Sequence, residues 1–158
     1  MDLDVQHIEV WEANIVDQPG GLAHVLDALE DAGIGIEFFV ALRGAPGSGR
    51  GRVLLTPLDG EHQVAVAARA GFHVPADLHT VRISGRNRAG LVAGLPGMIA
   101  RLGVNLRGFT ASVVGSGFVA YVATDSESDA ERVVNAIRRS DDGGRGTGQK
   151  RRTPDGSA

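Results

Sequence analysis

The chain has 158 residues, a formal net charge of −3, 4% aromatic residues and no cysteine. A length of this order suits one domain or two small ones. The negative charge and the scarcity of aromatic rings argue against nucleic-acid binding, because such proteins need basic residues and stacking surfaces. The absence of cysteine excludes disulfides, thiolate metal ligands and thiol nucleophiles, and it fits a cytoplasmic protein.

The sequence carries no pattern typical of export or of a membrane span. Its opening segment, MDLDVQHIEVWE, is acidic where a signal peptide is basic. The longest mainly apolar run, residues 91–100, contains glycine and proline and is far shorter than the ~18 residues that cross a bilayer. We therefore predict a cytoplasmic location and no membrane partner.

The first predicted element in chain order is a half-buried strand over residues 5–16, in which Trp11, Ala13 and Ile15 alternate with other side chains. Apolar residues then recur at the spacing of an amphipathic helix, which Gly33 ends. The rest of this half is predicted as a strand over 34–42, an exposed glycine-rich loop over 44–51, a strand over 52–56, a helix over 61–70 and a short strand over 72–74. The loop glycines can also cradle a phosphate, but a strand follows them and not the helix of a P-loop.

The pattern of the first half is repeated in the second. The segment DQPGGLAHVLDALEDAGIGIE begins at Asp17, and NRAGLVAGLPGMIARLGVNLR begins at Asn87, so the offset is 70 residues (87 − 17 = 70). The helix-facing apolar positions, the closing glycine and the next strand all keep this register. We therefore predict two units in tandem, over residues 5–76 and 77–139.

The second unit is predicted to contain strands over 78–84, 104–113 and 118–124, a helix over 89–102 and a final helix that ends near residue 139. Pro96 lies inside the first of these helices, where a proline costs about 3 kcal/mol, so we expect a kink or a late start. Residues 140–158 show no strand pattern and are rich in glycine, serine and charge, which predicts a disordered tail with a basic cluster at Lys150, Arg151 and Arg152. The second unit would then lack its fourth strand and leave an edge open for a homodimer.

The repeated order of strand, helix, strand, strand, helix, strand predicts an α+β protein of two tandem ferredoxin-like (βαββαβ) units, the second lacking its fourth strand. The motif DQPGGL at residues 17–22, which opens a helix that ends at Gly33, resembles the ACT domain, a regulatory amino-acid-binding module. The second motif, NRAGL at residues 87–91, is similar to an Asn-Arg-Pro-Gly form of that module, with Ala89 in place of proline.

A helix that begins at such a motif can bind an amino acid, because its first backbone amides hold a carboxylate. A side-chain oxygen of Asp17 or Asn87 can accept a hydrogen bond from the ligand ammonium group. The resemblance further implies that the second strand of a neighbouring unit closes the site. The predicted ligand-binding residues are Asp17, Gln18, Pro19, Gly20, Gly21, Leu22, Phe39, Asn87, Arg88, Ala89, Gly90, Leu91 and Phe109.

Strand parity predicts that Phe39 and Phe109 point away from the core of their units. It predicts that Phe38, Val40 and Thr110 point inward. A simpler interpretation of the motifs remains open, in which Asp17 and Asn87 only cap helices.

The resemblance implies a small regulatory protein, an allosteric sensor, that binds a free amino acid between its two ACT-like units and has no catalytic activity. No histidine pair or serine motif typical of an active site supports an enzyme, and we predict no metal and no cofactor. RNA binding by a ferredoxin-like sheet is disfavoured by the charge. The regulated partner would be an enzyme or a transcription factor. The alternative is a protein-docking or dimerising regulatory module that has lost ligand binding.

Overall fold

The computed structural model describes residues 3–145, which form two compact bodies. The first body is Ile8–Thr80, and the second consists of residues 3–7 together with residues 81–145. The fold is α+β, as predicted. Its elements in chain order are β1 Leu3–Ile8, β2 Trp11–Val16, α1 Gly21–Asp31, β3 Phe38–Arg43, β4 Arg50–Thr56, α2 Gly60–Arg69, β5 His79–Arg86, α3 Leu91–Arg101, β6 Gly108–Val114, β7 Gly117–Thr124 and α4 Glu127–Arg145.

The first body has an antiparallel sheet in the strand order β2-β4-β3. Its core joins the sheet to both helices of this body through side chains that are at most 1% exposed: Ala13, Val53 and Leu55 from the sheet, Leu29 from α1 and Ala67 from α2. The helices therefore cover one face of the sheet, as the apolar spacing of α1 predicts.

The short strand predicted over residues 72–74 is reduced to a single antiparallel bridge. Glu12 and His73 exchange two backbone hydrogen bonds, with N–O distances of 2.8 and 2.9 Å. Phe72 beside the bridge is buried in the core of the first body. The chain reaches the expected position next to β2, but Pro75 follows closely and has no N–H to continue a ladder.

The second body has a four-stranded sheet in the order β1-β5-β7-β6. Its core joins this sheet to α3 and α4 and includes Ile99, Val122 and Val133, each 0% exposed. The apolar stripe that we predicted for the last helix lies in or against this core at Ala130, Val133, Val134 and Ile137.

Strand β1 lies at the edge of the second sheet, beside β5. Val5 is buried in the core of the second body, and its carbonyl oxygen accepts a hydrogen bond from Arg138 Nη2 of α4 at 2.8 Å. Asp4 forms an ion pair with Arg82 of β5, with an Nη1–Oδ2 distance of 3.1 Å. The N-terminal strand thus fills the position of the fourth strand that the second unit lacks after α4.

This arrangement corrects three of the sequence-based predictions. The single strand predicted over residues 5–16 is two strands, because β1 joins the second sheet and β2 joins the first. Residues 5–7, which we assigned to the unit 5–76, belong to the second body. The edge that we expected to be open for a homodimer is occupied by β1. Local alternation of side chains cannot show which sheet a segment joins, because pairing partners lie far away in the sequence.

Helix α3 begins at Leu91 and not at residue 89, and it continues through Pro96 to Arg101. The proline lies past the first turn of the helix, so its missing N–H removes an intrahelical hydrogen bond. Within residues 3–145, no helix combines the length and the apolar character that a membrane span requires.

Helix α4 extends to Arg145, so residues 140–145 are helical and not disordered as predicted. Asp141 in this segment is 6% exposed, and its Oδ2 lies 3.5 Å from the backbone nitrogen of Leu3. This contact with β1 of the second body explains the longer helix. Sequence composition does not reveal it. The rest of the predicted tail, with the basic cluster at 150–152, lies outside the described residues.

The strand register reverses the predicted faces of β3 and β6. Phe39 lies opposite Leu55, Phe109 lies opposite Val122, and both partners are fully buried. Directly opposed residues of an antiparallel pair share one face, so the two phenylalanines lie on the helix-covered face. The residues predicted to point inward lie on the other face: Phe38, Val40 and Thr110. Alternation reveals two faces of a strand but does not identify the buried one.

Candidate functional site

The first predicted motif forms a tight turn between β2 and α1. The amide of Gly21 donates a hydrogen bond to the carbonyl oxygen of Gln18 at 3.0 Å, and Gly20 has φ 83° and ψ −11°. This is the geometry of a type II β-turn, which favours proline at its second position and requires positive φ at its third. Pro19 and Gly20 meet these two demands, so the residue order itself specifies the turn.

The second motif forms the same turn between β5 and α3. The amide of Leu91 donates to the carbonyl oxygen of Arg88 at 3.1 Å, and Gly90 has φ 80° and ψ −10°. Ala89 replaces the proline, while the position that needs positive φ is again glycine. The same type II turn therefore precedes a helix in both bodies.

Both turns leave the next helical amides open. Within residues 3–145, no acceptor forms a hydrogen bond with the backbone amides of Leu22 and Ala23 in α1 or of Val92 and Ala93 in α3. Open amides at a helix N-terminus attract a carboxylate, and the helix dipole adds to the attraction.

The side chains of Asp17 and Asn87 do not cap the helices. The N-cap residues are Gly20 and Gly90, and neither helix has a capping hydrogen bond from a side chain. The simpler interpretation of Asp17 and Asn87 as helix caps is therefore wrong, because the turn separates these residues from the first helical amides.

The two motifs differ in what surrounds their first residue. Asp17 Oδ1 accepts a hydrogen bond from Arg43 Nε at 3.0 Å, and the two side chains are 28% and 78% exposed. The position 70 residues after Arg43 is Val113 (43 + 70 = 113), so no cation occupies the matching place in the second body. The backbone contact is the same in both bodies, since the amide of Asp17 donates to the carbonyl oxygen of Gly49 at 3.0 Å and that of Asn87 to Ser116 at 2.8 Å.

A cavity of about 490 Å³ lies beside the second turn. Its lining includes residues 88–91, all of which we predicted as ligand-binding residues, and Arg101 of α3. Leu3 of β1 and Ile137 and Ser140 of α4 also line it. The volume is within the range of small-molecule sites, so the second motif borders a space that a small ligand can fill.

A smaller cavity of about 340 Å³ lies between α1 and α2 in the first body. Its lining consists of His24, Val25, Ala28, Val66, Arg69 and Ala70, and it includes no residue of the first motif. The two motifs therefore share a backbone geometry, but of these two cavities the second motif lines the larger one and the first motif lines neither.

No family model matches the sequence, and no curated protein matches it. Solved structures do match. A Bacteroides thetaiotaomicron protein is 15% identical with a TM-score of 0.69, over 85% of this chain and 90% of that one. The ligand-free regulatory subunit of aspartate kinase from Thermus thermophilus is 18% identical with a TM-score of 0.58, over 87% and 95% of the two chains. The corresponding subunit from Thermus flavus is 20% identical with a TM-score of 0.53, over 88% and 96%.

The chain shares the fold of these structures. It consists of two tandem ferredoxin-like units, as the resemblance of the two motifs to the ACT domain implies. In the first body the fourth strand is reduced to the bridge at His73, and in the second it is supplied by β1.

The structure does not bring the two predicted phenylalanines to the cavity of the second body. Phe109 packs against the hydrophobic core beneath the helices, and it does not line the cavity. Phe39 belongs to the first body, where it is 36% exposed. Both rings lie in the second strand of a unit, as the resemblance implies, but on the helix-covered face.

The sequence-based prediction missed seven cavity residues outside the motif: Gly94, Leu95, Met98 and Arg101 on α3, and three more, Leu3, Ile137 and Ser140. Arg101 follows the cavity-lining Leu91, Leu95 and Met98 at helical spacing, and this pattern could have revealed it. The other three come from β1 and α4, which are remote in sequence. No local pattern indicates that these segments meet.

Proposed function

We propose that this chain is a regulatory protein without catalytic activity that binds a free amino acid at the turns preceding α1 and α3. The observation that carries this proposal is the duplicated type II turn that ends in open helical amides. The similar structures from Thermus are named as regulatory subunits, which supports a regulatory role for the shared fold. The regulated partner would be an enzyme or a transcription factor.

In this proposal the carboxylate of the ligand binds the open amides. The ammonium group of the ligand binds the side-chain oxygen of the first motif residue, Asp17 or Asn87. The charge-assisted hydrogen bonds formed in this way are stronger than neutral ones. Asn87 offers a neutral amide oxygen. Asp17 offers a carboxylate that Arg43 already contacts, so a ligand must share or displace that cation.

The remaining residues of each motif shape the turn or border the ligand. The proposed set is Asp17, Gln18, Pro19, Gly20, Gly21 and Leu22 in the first body and Asn87, Arg88, Ala89, Gly90 and Leu91 in the second, without Phe39 and Phe109, which lie on β3 and β6. Ligand binding can regulate a partner if it favours one of two arrangements of the protein.

A thermal-unfolding screen of the full chain against the twenty amino acids tests the proposal. A ligand present at 100 times its dissociation constant adds about 2.7 kcal/mol of stability, so the cognate amino acid should raise the melting temperature clearly. An absence of any shift would contradict amino-acid binding and favour the docking module that has lost its ligand.

The assigned residues are tested by calorimetry with the amino acid that the screen identifies. Asp17→Ala and Asn87→Ala should each weaken binding if their body holds the ligand, because each removes an acceptor for the ammonium group. Asp27→Ala on the exposed side of α1 and Asn105→Ala in an exposed loop are the matched controls. Unchanged affinity in both Asp17→Ala and Asn87→Ala would rule out the assigned site.

A further inference from the structure

We infer that the cavity of the second body is a binding site for an amino acid with an aliphatic side chain. The site lies within one body, between α3, α4 and the beginning of β1. This inference rests on the proposed function and specifies the ligand class, the body that binds it and the strand that ligand binding stabilises. Three features of the lining carry it, namely its volume, its charge and its apolar surface.

The charge of the lining selects an anionic group. Arg88 and Arg101 both line the cavity, and within the described part of the chain neither guanidinium group forms an ion pair or a hydrogen bond. No aspartate or glutamate is among the described lining residues. Two arginines without an acidic neighbour favour an anionic ligand group. Arg88 belongs to the turn, so its guanidinium would bind the same carboxylate as the open amides of α3, and Arg101 at the other end of the helix adds positive charge to the lining.

The apolar part of the lining selects an aliphatic chain. Leu95 and Ile137 are buried in the hydrophobic core, and Leu3, Leu91 and Met98 are partly buried against it. None of the described lining residues is aromatic. Flexible aliphatic side chains, and methionine in particular, adapt to the shape of an apolar guest. A ligand that carries a branched or linear alkyl group can therefore exclude water from this surface.

The ammonium group of such a ligand has no acidic side chain to bind inside the cavity. It would lie at the mouth, where Asn87 precedes the first lining residue, Arg88. This geometry explains why the second motif begins with a neutral amide. An aspartate at this position would compete with the ligand carboxylate for Arg88.

Strand β1 is part of the wall, because Leu3 lines the cavity. The same strand is attached to α4 through the hydrogen bond between Arg138 and the Val5 carbonyl oxygen. A ligand that contacts both β1 and α4 adds to this attachment. Ligand binding should therefore stabilise the N-terminal strand in the sheet of the second body, and the two-residue connection Glu9 and Val10 joins that strand directly to β2 of the first body.

The test is calorimetry of the full chain with alanine, valine, leucine and methionine. Each methylene that enters the cavity should increase affinity about fourfold, so leucine and methionine should bind more tightly than valine, and valine more tightly than alanine. Serine, aspartate and lysine should bind weakly. If a polar amino acid binds most tightly, the proposed function stands and the aliphatic specificity is wrong. If no amino acid binds, both fail.

Cavity-filling variants test the location. Gly94 lines the cavity on α3, and a Cβ built there meets no atom within 4 Å. Gly94→Leu should fill the space and reduce leucine affinity at least tenfold without unfolding the helix, because leucine is a better helix former than glycine. Ala100→Leu is the matched control on the same helix, since Ala100 is exposed and outside the lining. Unchanged affinity in Gly94→Leu would overturn the inference and leave the proposed function intact.

A second pair of variants does not depend on cavity filling. Arg101→Gln should weaken leucine binding about tenfold, because it removes a positive charge from the cavity that receives an anionic group. Arg69→Gln is its control, since Arg69 ends α2 in the first body and lines the smaller cavity. Hydrogen exchange provides a further readout, as leucine should slow exchange of the β1 amides in the wild type. Loss of binding in Arg69→Gln with none in Arg101→Gln would assign the ligand to the first body.

Discussion

At the scale of single residues, the glycine in each turn determines where the helix begins. Gly20 and Gly90 adopt positive φ at the third turn position, which β-carbon sterics make costly for other residues. The chain can then enter the helix without a side-chain cap, and the first amides stay open. A side-chain cap at the same place would satisfy those amides and remove their ability to bind a ligand.

Replacement by alanine should change the free energy of unfolding in opposite directions at Gly90 and Gly94. Gly90→Ala should lower the free energy of unfolding by about 1–2 kcal/mol, because alanine is strained at positive φ. Gly94→Ala lies inside α3, with no atom near its added Cβ, and should raise the free energy of unfolding by about 1 kcal/mol. Urea denaturation measures both. Equal effects of the two substitutions would contradict the turn geometry.

The Asp17–Arg43 ion pair distinguishes the first motif from the second. Arg43 is 78% exposed, so the pair contributes little to stability. Its relevance is to binding, because it places a cation beside the carboxylate that a ligand ammonium would use. The second motif has asparagine in this position and valine at the site that matches Arg43, so no such competition exists there.

At the scale of elements, β1 decides how the second body is completed. A strand placed beside β5 protects backbone groups that an open edge would expose to other chains. Val5 contributes to the core, while the side chain of Gln6 is exposed and contacts Asp4 on the same strand. The strand therefore has one buried and one exposed face, as expected for the edge of a sheet covered on one side.

The buried face of β1 can be tested with two adjacent substitutions. Val5→Ala should destabilise the protein by about 2 kcal/mol, since it removes two carbon atoms from a site that is 4% exposed. Gln6→Ala should change the free energy of unfolding by less than about 0.5 kcal/mol. Chemical denaturation of both variants provides the measurement. A larger effect at Gln6 would mean that the other face of β1 is the buried one.

At the scale of the whole molecule, the two bodies have separate hydrophobic cores, and the chain passes from one to the other twice. The first passage lies at the end of β1, between His7 and Ile8, and the second lies within β5, between Thr80 and Val81. The duplicated sequence therefore does not divide into two simple halves. The N-terminal residues complete the body that the C-terminal half builds.

Removal of residues 1–7 should affect the two bodies unequally. The single tryptophan, Trp11, belongs to the first body, and the single tyrosine, Tyr121, belongs to the second. The deletion should lower the unfolding midpoint followed by the tyrosine signal in near-ultraviolet circular dichroism more than the midpoint followed by tryptophan fluorescence, because it removes a strand and Val5 from the second core. Equal shifts of both signals would contradict the assignment of β1 to the second body.

Much of the fold was predictable because its signals are local. The helical spacing of Leu22 to Leu29, the closing glycines and the repeat at an offset of 70 residues all lie within short windows of sequence. The same holds for the two turns, since the glycine in each motif supplies the positive φ that the third position of a type II turn requires. Residues 88–91, which border the cavity, are for this reason recognisable as site residues from the sequence alone.

The sequence by itself determined the duplicated ferredoxin-like units, the two turns and the motif residues that border the larger cavity. The tertiary structure alone decided which sheet β1 joins, which face of β3 and β6 is buried and how far α4 extends. It also brought Leu3, Ile137 and Ser140 to the cavity. These features depend on pairing and packing between segments far apart in the chain, whereas periodicity and turn chemistry report on neighbours.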